Sequence, residues 1–138
     1  MSWTEKIPPQ EITEKITNAT VDFAKRFGEY LAKEDTIIVN GKSKEIKKMN
    51  TNQLRRFFGA VKRQQLSGYN ATAFILLKPK LAYAVGRDKK KSKIGDFFYV
   101  MSNAIDLVKN EQQFENFIGL FEAIVAYHKA YEAELEEK

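Results

Sequence analysis

Apolar side chains recur at helical spacing along most of the chain. From Ile12 to Leu31 an apolar residue returns every three or four positions, which predicts a first helix over about residues 10–34. The same period over residues 94–108 and 114–128 predicts two further amphipathic helices. Helices therefore dominate the predicted fold.

Polar capping residues and one proline set the predicted boundaries of the central helices. Asn50 followed by Gln53 has the spacing of a capping box and predicts a helix start, and Gly68 predicts the end of that helix. Asn70 is a candidate N-cap for the next helix, which Pro79 must either kink or split.

The segment DTIIVNGKSKEIKKMN has two interpretations of equal weight. Asn40-Gly41 between two short runs is typical of a small hairpin, whereas the many polar side chains fit a loop. No other segment shows the alternation of a strand. We therefore expect a hairpin or loop at residues 36–46 within an all-α fold, a compact bundle of five or six helices.

Composition indicates one soluble helical domain over residues 1–138 that ends in an acidic tail. The chain is 43% hydrophobic and 12% aromatic, which suits a packed aromatic core. Because it has no cysteine, disulfides and thiolate-bound metals are excluded, and a reducing compartment fits. The start, MSWTEKIPPQ, lacks a basic stretch followed by an apolar one, and no apolar run reaches membrane-spanning length. We expect a cytoplasmic protein with no membrane partner.

The net charge of +5 conceals an uneven distribution along the chain. Residues 42–93 contain 15 Lys and Arg against Glu45 and Asp88, a net charge of +13, and the remainder carries −8. Such a concentration of positive charge repels itself, so it favours a polyanionic partner. RNA or DNA is the leading candidate.

The helix predicted to follow Asn50 separates its apolar and basic side chains. On a helical wheel, one face carries Leu54, Phe57, Phe58 and Val61, and the nearly opposite face carries Arg55, Arg56, Lys62 and Arg63. Because no acid interrupts these four cations, we favour nucleic-acid binding over an ordinary solvated face. Gly59 lies within the basic arc, where it would admit a sugar-phosphate backbone or pack against a neighbour.

The stretch KPKLAYAVGRDKKKSK, residues 78–93, forms a second basic region. Lys78, Lys80 and Arg87 must project outward, because unpaired cations are not buried. Lys89 to Lys91 together with Lys93 are interpreted as a charged, solvated loop. The two aromatic residues nearby have different interpretations: Tyr83 is expected in the core, whereas Tyr69 stays a candidate for stacking on a base.

The residues that catalysis needs are largely missing. His128 is the sole histidine and lies on the apolar face of its predicted helix, so we expect it to be packed and hydrogen-bonded. No glycine-rich phosphate loop is present, and the serines have no sequence-level sign of an activating base. We therefore expect a protein that is not an enzyme and that needs no cofactor or metal.

Three stretches resemble one known family: TNQLRRFF (51–58), LLKPKLAYAVGR (76–87) and FENFIGLFEAIVAYHKAY (114–131). They are similar to the small subunit of the type III-A CRISPR effector, the Csm complex, which serves in antiviral defence. The resemblance covers about residues 48–131, and the first 45 residues carry no recognisable signature.

The resemblance implies a non-catalytic helical subunit of a ribonucleoprotein complex. Several copies would stack beside a filament of backbone subunits, and their basic surface would line the channel that holds guide and target RNA. The partners would be single-stranded RNA or the guide-target duplex, the other Csm subunits and neighbouring copies. The family's basic positions correspond to Arg55, Lys78, Lys80 and Arg87. RNA cleavage would belong to other subunits.

Three alternatives stay open from the residues themselves. A freestanding DNA-binding regulator would read bases with Arg55, Arg56 and Gln64, a thin recognition set. An enzyme with an acidic metal site would need paired ligands that the pattern does not supply. A structural bundle would dock its basic middle onto an acidic partner or onto the acidic end of a second copy.

Overall fold

The structure, a computed structural model, describes residues 3–88 and 92–136. Its elements are α1 (Gln10–Thr13), α2 (Asn18–Leu31), β1 (Asp35–Val39), β2 (Lys42–Ile46), α3 (Thr51–Ser67), α4 (Ala71–Ile75), α5 (Leu77–Arg87), α6 (Ile94–Leu107) and α7 (Glu111–Glu136). Five of the helices in the described ranges have eleven residues or more, and α1 and α4 are short. The all-α fold class is confirmed.

The prediction of one N-terminal helix is wrong, because the chain breaks between α1 and α2. The buried carboxylate of Glu11 accepts hydrogen bonds from the backbone N–H and the hydroxyl of both Thr17 and Thr20, at 2.5–3.1 Å. Thr17 is the N-cap of α2, and its own hydroxyl accepts from Ala19. These bonds hold the pKa of Glu11 below its usual range. Apolar spacing did not reveal the break, since capping interactions cause it.

Residues 35–46 form a hairpin, so the loop interpretation is wrong. Strands β1 and β2 pair antiparallel, from Asp35 opposite Ile46 to Val39 opposite Lys42. Asn40 and Gly41 both have positive φ, at 53° and 77°, as a two-residue hairpin turn requires.

The capping residues of the central helices act as predicted. Asn50 and Gln53 form a reciprocal capping box at the start of α3, and the side chain of Asn70 caps α4 through Ala73. Pro79 splits the following segment: α4 ends at Ile75, and α5 then places Pro79 in its first turn. A proline there removes an N–H that has no intrahelical partner.

Helix α7 runs through one cluster of buried residues and packs most extensively against α2. The largest fully buried side chains of this cluster are phenylalanines: Phe23, Phe27, Phe74, Phe97, Phe114, Phe117 and Phe121. His128 is fully buried, and its Nε2 lies 2.6 Å from the carbonyl oxygen of Met49. The prediction of a packed, hydrogen-bonded histidine is confirmed.

Candidate nucleic-acid interface

Residues of helices α3 and α5 together line an open groove of about 380 Å³. From α3 it is lined by Gln53, Arg56, Phe57 and Ala60, and from α5 by Leu77, Lys80, Leu81, Tyr83, Ala84 and Arg87. Most of these positions are three or four residues apart, so each helix turns one face toward the groove. The capping box and Pro79 thus fix where both walls begin.

The groove has an apolar floor and a basic rim. Phe57, Leu77 and Leu81 are buried and form the floor. Arg56, Lys80 and Arg87 are exposed at its edge. A smaller recess of about 240 Å³ shares Ala60 and Lys80 with the groove, and it adds Arg63. Four of the seven predicted RNA-binding residues therefore line one continuous surface, which we call the basic groove (Arg56, Arg63, Lys80, Arg87).

The charge of the basic groove is not neutralised by the fold. Among the residues that the structure describes, no carboxylate lies within salt-bridge distance of these four cations. Asp88 also lines the groove, but its carboxylate accepts hydrogen bonds from the backbone N–H and the hydroxyl of Ser92, both at 2.7 Å. A concave surface with an excess of one charge sign concentrates its field and attracts oppositely charged ligands.

The other three predicted residues lie elsewhere. Lys62 forms an ion pair with Glu122 of α7 at 3.5 Å, and its ammonium lies 5.7 Å from the Phe58 ring centroid. Lys78 donates to Asp106 of α6 at 2.6 Å. Arg55 is exposed on α3 outside the groove lining. The structure therefore does not gather all seven residues into one site.

The core position expected for Tyr83 is wrong, whereas stacking of Tyr69 on a base stays a prediction. Tyr83 is 67% exposed in the groove wall, with the Arg87 guanidinium 5.5 Å from its ring centroid. Tyr69 is half-buried, and its ring lies 5.2 Å from that of Phe114. A helical wheel of residues 77–87 places Tyr83 on the same side as Lys80 and Arg87, so that pattern could have revealed it.

The assignment of Lys93 to a solvated loop is also wrong. Its side chain is fully buried, and its ammonium lies 2.7 Å from both the Asp35 carboxylate and the Tyr30 carbonyl oxygen. The ammonium also lies 3.8 Å from the Tyr30 ring centroid. Burial lowers the pKa of Lys93, while Asp35 acts in the opposite direction. Lys89 to Lys91 lie outside the described residues.

Gly59 lies open within the basic face of α3. A Cβ added there would meet only the Arg63 guanidinium, at 3.6 Å, which is ordinary contact. Gly59 therefore does not pack against another helix, and the interpretation as a site of close backbone approach stays a prediction.

A helical protein with unpaired cations along one groove fits the class of accessory subunits of nucleoprotein assemblies. A scan against protein families matches residues 38–134 to the family described as Csm2 Type III-A. The match covers more than half of the chain, so the chain belongs to this family of small subunits of the type III-A CRISPR complex and assembles with other Csm subunits.

The matched range includes the three motif stretches, and it extends into the hairpin. Searches of curated proteins and of solved structures found no match. Within the described ranges, no helix is both long enough and apolar enough to cross a membrane.

Proposed function

We propose that this subunit holds the sugar-phosphate backbone of RNA in its basic groove, independently of base sequence. One observation carries the proposal: Arg56, Arg63, Lys80 and Arg87 line a continuous surface on which no acid of the described chain pairs with them. Lysine and arginine without a base-reading array supply attraction to phosphate and little sequence information.

This chemistry suits an RNA-guided complex. The guide strand supplies specificity by base pairing, so an accompanying subunit needs only shape and electrostatic attraction. The bound RNA would be the guide strand, the target strand or the duplex that they form. Cleavage would lie in other subunits, and this chain would act in the cytoplasm as a single non-catalytic domain.

The DNA-binding regulator is less well supported. Its recognition set includes Gln64, whose side-chain amide donates to the carbonyl oxygen of Ala73 at 3.0 Å. Gln64 lines the smaller recess, but its amide nitrogen is already engaged in joining α3 to α4. Family membership also favours the CRISPR complex.

Pairing between the basic middle and the acidic end of the chain is already made within one molecule. Lys48 pairs with Glu132 at 3.2 Å, and Lys62 pairs with Glu122. These contacts engage Lys48 and Lys62 but not the four cations of the basic groove, so family membership, and not charge pairing, favours RNA over an acidic protein partner.

Stacking of neighbouring copies would instead use apolar side chains. Leu66 is 88% exposed and Ile38 is 76% exposed, and neither lines the basic groove. Burying such side chains between subunits is favourable. Sedimentation of a Leu66→Ser, Ile38→Ser double variant should show weaker self-association than wild type, and unchanged sedimentation would contradict this role.

Charge reversal in the basic groove tests RNA binding directly. Arg56→Glu, Lys80→Glu and Arg87→Glu are combined, and binding of labelled single-stranded RNA is measured by fluorescence anisotropy at several salt concentrations. Four phosphate contacts in the wild type predict a fall in affinity of roughly fiftyfold between 50 and 200 mM salt. The variant should bind at least about tenfold more weakly, and its log-log salt slope should be shallower by about two.

The matched control changes net charge equally outside the groove. Lys25, Lys109 and Lys129 are exposed and line neither recess, so they are changed to glutamate together. This control should keep most of the wild-type affinity and salt slope. Equal losses in the two triple variants would show that only net charge matters, and the groove would not be the binding site.

A further inference from the structure

The basic groove has more apolar surface than a phosphate site needs. Phe57, Leu77, Leu81 and Ile94 lie along its floor, beneath the cations of the rim. These floor residues are at most 8% exposed, so the apolar surface open to a ligand comes from Ala60, Tyr83 and Ala84 in the walls. The ligand that complements both parts has an apolar, flat group attached to an anionic backbone.

The space is the right size for such a group. The groove volume of about 380 Å³ lies within the range of roughly 300–1,000 Å³ usual for small-molecule sites. Ala60 and Ala84 line it from the two helices with small side chains, which leave room between the walls. The adjoining recess with Arg63 continues the surface along α3, so a chain of nucleotides could follow it.

Tyr83 adds an aromatic face to this site. It is exposed in the groove wall, and the Arg87 guanidinium lies beside its ring. Proteins that bind single strands combine a basic groove with aromatic side chains on which bases stack. In a double helix the bases are paired and stacked on one another, so they are not free to enter such a groove.

We propose that the basic groove takes an unpaired nucleobase of single-stranded RNA between its walls and against Tyr83, while Arg56, Lys80 and Arg87 bind the flanking phosphates. This inference rests on the proposed function and narrows its ligand from any RNA backbone to a single strand with intact bases. The contact is with the face of the base, so it needs no particular sequence.

The wild-type protein alone gives a first test. Anisotropy compares a labelled oligouridylate, an oligomer of the same length with abasic riboses, and the oligouridylate annealed to its complement. The abasic oligomer should bind roughly tenfold more weakly, because base stacking on aromatic side chains is lost. The duplex should also bind more weakly than the single strand.

Two variants test the site without changing its charge. Ala84→Leu fills the groove, and Tyr83→Ala removes the aromatic face. Each should weaken binding of the oligouridylate several-fold and leave binding of the abasic oligomer unchanged. Ala82→Leu is the matched control, because Ala82 is exposed on the same helix and does not line the groove.

The outcomes separate the inference from the proposed function. If intact and abasic oligomers bind equally and the groove charge reversal weakens both, the groove binds backbone only, and the inference is overturned. If no RNA binds at the groove, both are overturned. Should Ala84→Leu fail to fold by circular dichroism, Tyr83→Ala and the wild-type comparison decide.

Discussion

Two pairs of neighbouring helices in this molecule differ in how closely they approach. Between α2 and α7, Gly28 lies so near the partner helix that an added Cβ would be 2.8 Å from the carbonyl oxygen of Ile124. Between α3 and α5, Ala60 and Ala84 border a groove of about 380 Å³. The first pair is closed and holds the fold, whereas the second is left open.

The same two regions differ in electrostatics. Cations near α7 meet its acids, as in the pairs Lys48–Glu132 and Lys62–Glu122. Cations of the basic groove have no such partner among the described residues. Open space and unpaired charge therefore coincide at the α3–α5 pair, which supports the proposed RNA site there, whereas the α2–α7 pair is closely packed.

The largest expected effect on stability comes from inserting a methyl group between α2 and α7, where the two helices already touch. Gly28→Ala would force the new methyl group against the Ile124 carbonyl and against the backbone nitrogen of His128, 3.0 Å away. We expect the free energy of unfolding to fall by about 2–3 kcal/mol, as measured by urea denaturation. Gly95→Ala is the control, because nothing lies within 4 Å of its added Cβ. Equal stability of the two variants would contradict the close approach.

An intermediate effect is expected at the start of α2. The pKa of Glu11 is lowered by its hydrogen bonds with Thr17 and Thr20. A lowered pKa contributes stability above the ordinary value of 4.5, and this contribution is lost as the pH falls through the folded-state pKa. Glu11→Gln should lower stability at pH 7 by about 1–2 kcal/mol.

The pH profile distinguishes this role from simple loss of packing. Between about pH 6 and pH 3, thermal unfolding of Glu11→Gln should lose less stability than that of wild type, since the titrating group is gone. Glu14→Gln, at an exposed neighbouring position, should retain the wild-type profile. An acid dependence of Glu11→Gln as steep as that of wild type would show that other groups cause it.

The smallest effect on stability is expected from a substitution in α3, one of the two helices that border the groove. This substitution should raise stability rather than lower it. Gly59→Ala meets no backbone and gains the helix propensity of alanine, so the free energy of unfolding should rise by about 0.5–1 kcal/mol. The midpoint of thermal unfolding measures it. Destabilisation would show that α3 is packed as tightly here as α2 is against α7.

Local signals in the sequence predicted much of the fold. The capping box at Asn50, the turn at Asn40-Gly41 and the interruption at Pro79 each depend on residues a few positions apart, and each is present. The break after α1 escaped prediction because the apolar period continues across it, while Glu11 and Thr17 interrupt the helix through side-chain bonds.

The site was less predictable because it depends on tertiary packing. A helical wheel separates basic from apolar faces, but it does not show which helix lies alongside. Lys62 and Lys78 look like free cations in sequence, yet their partners are 60 and 28 residues away. Lys93 likewise meets Asp35 from a distant strand. A helical wheel of α5, by contrast, could have shown that Tyr83 lies on the basic side of that helix.

Buried Lys93 has a mechanical consequence for the hairpin. Both strands are largely exposed, and an isolated two-stranded hairpin is marginally stable at best. The Lys93 ammonium binds Asp35 of β1, and its backbone N–H donates to the carbonyl oxygen of Lys47 at 2.9 Å. Lys93, which directly precedes α6, thus anchors the base of the hairpin to the start of that helix, and Ile94, the first residue of α6, lines the groove.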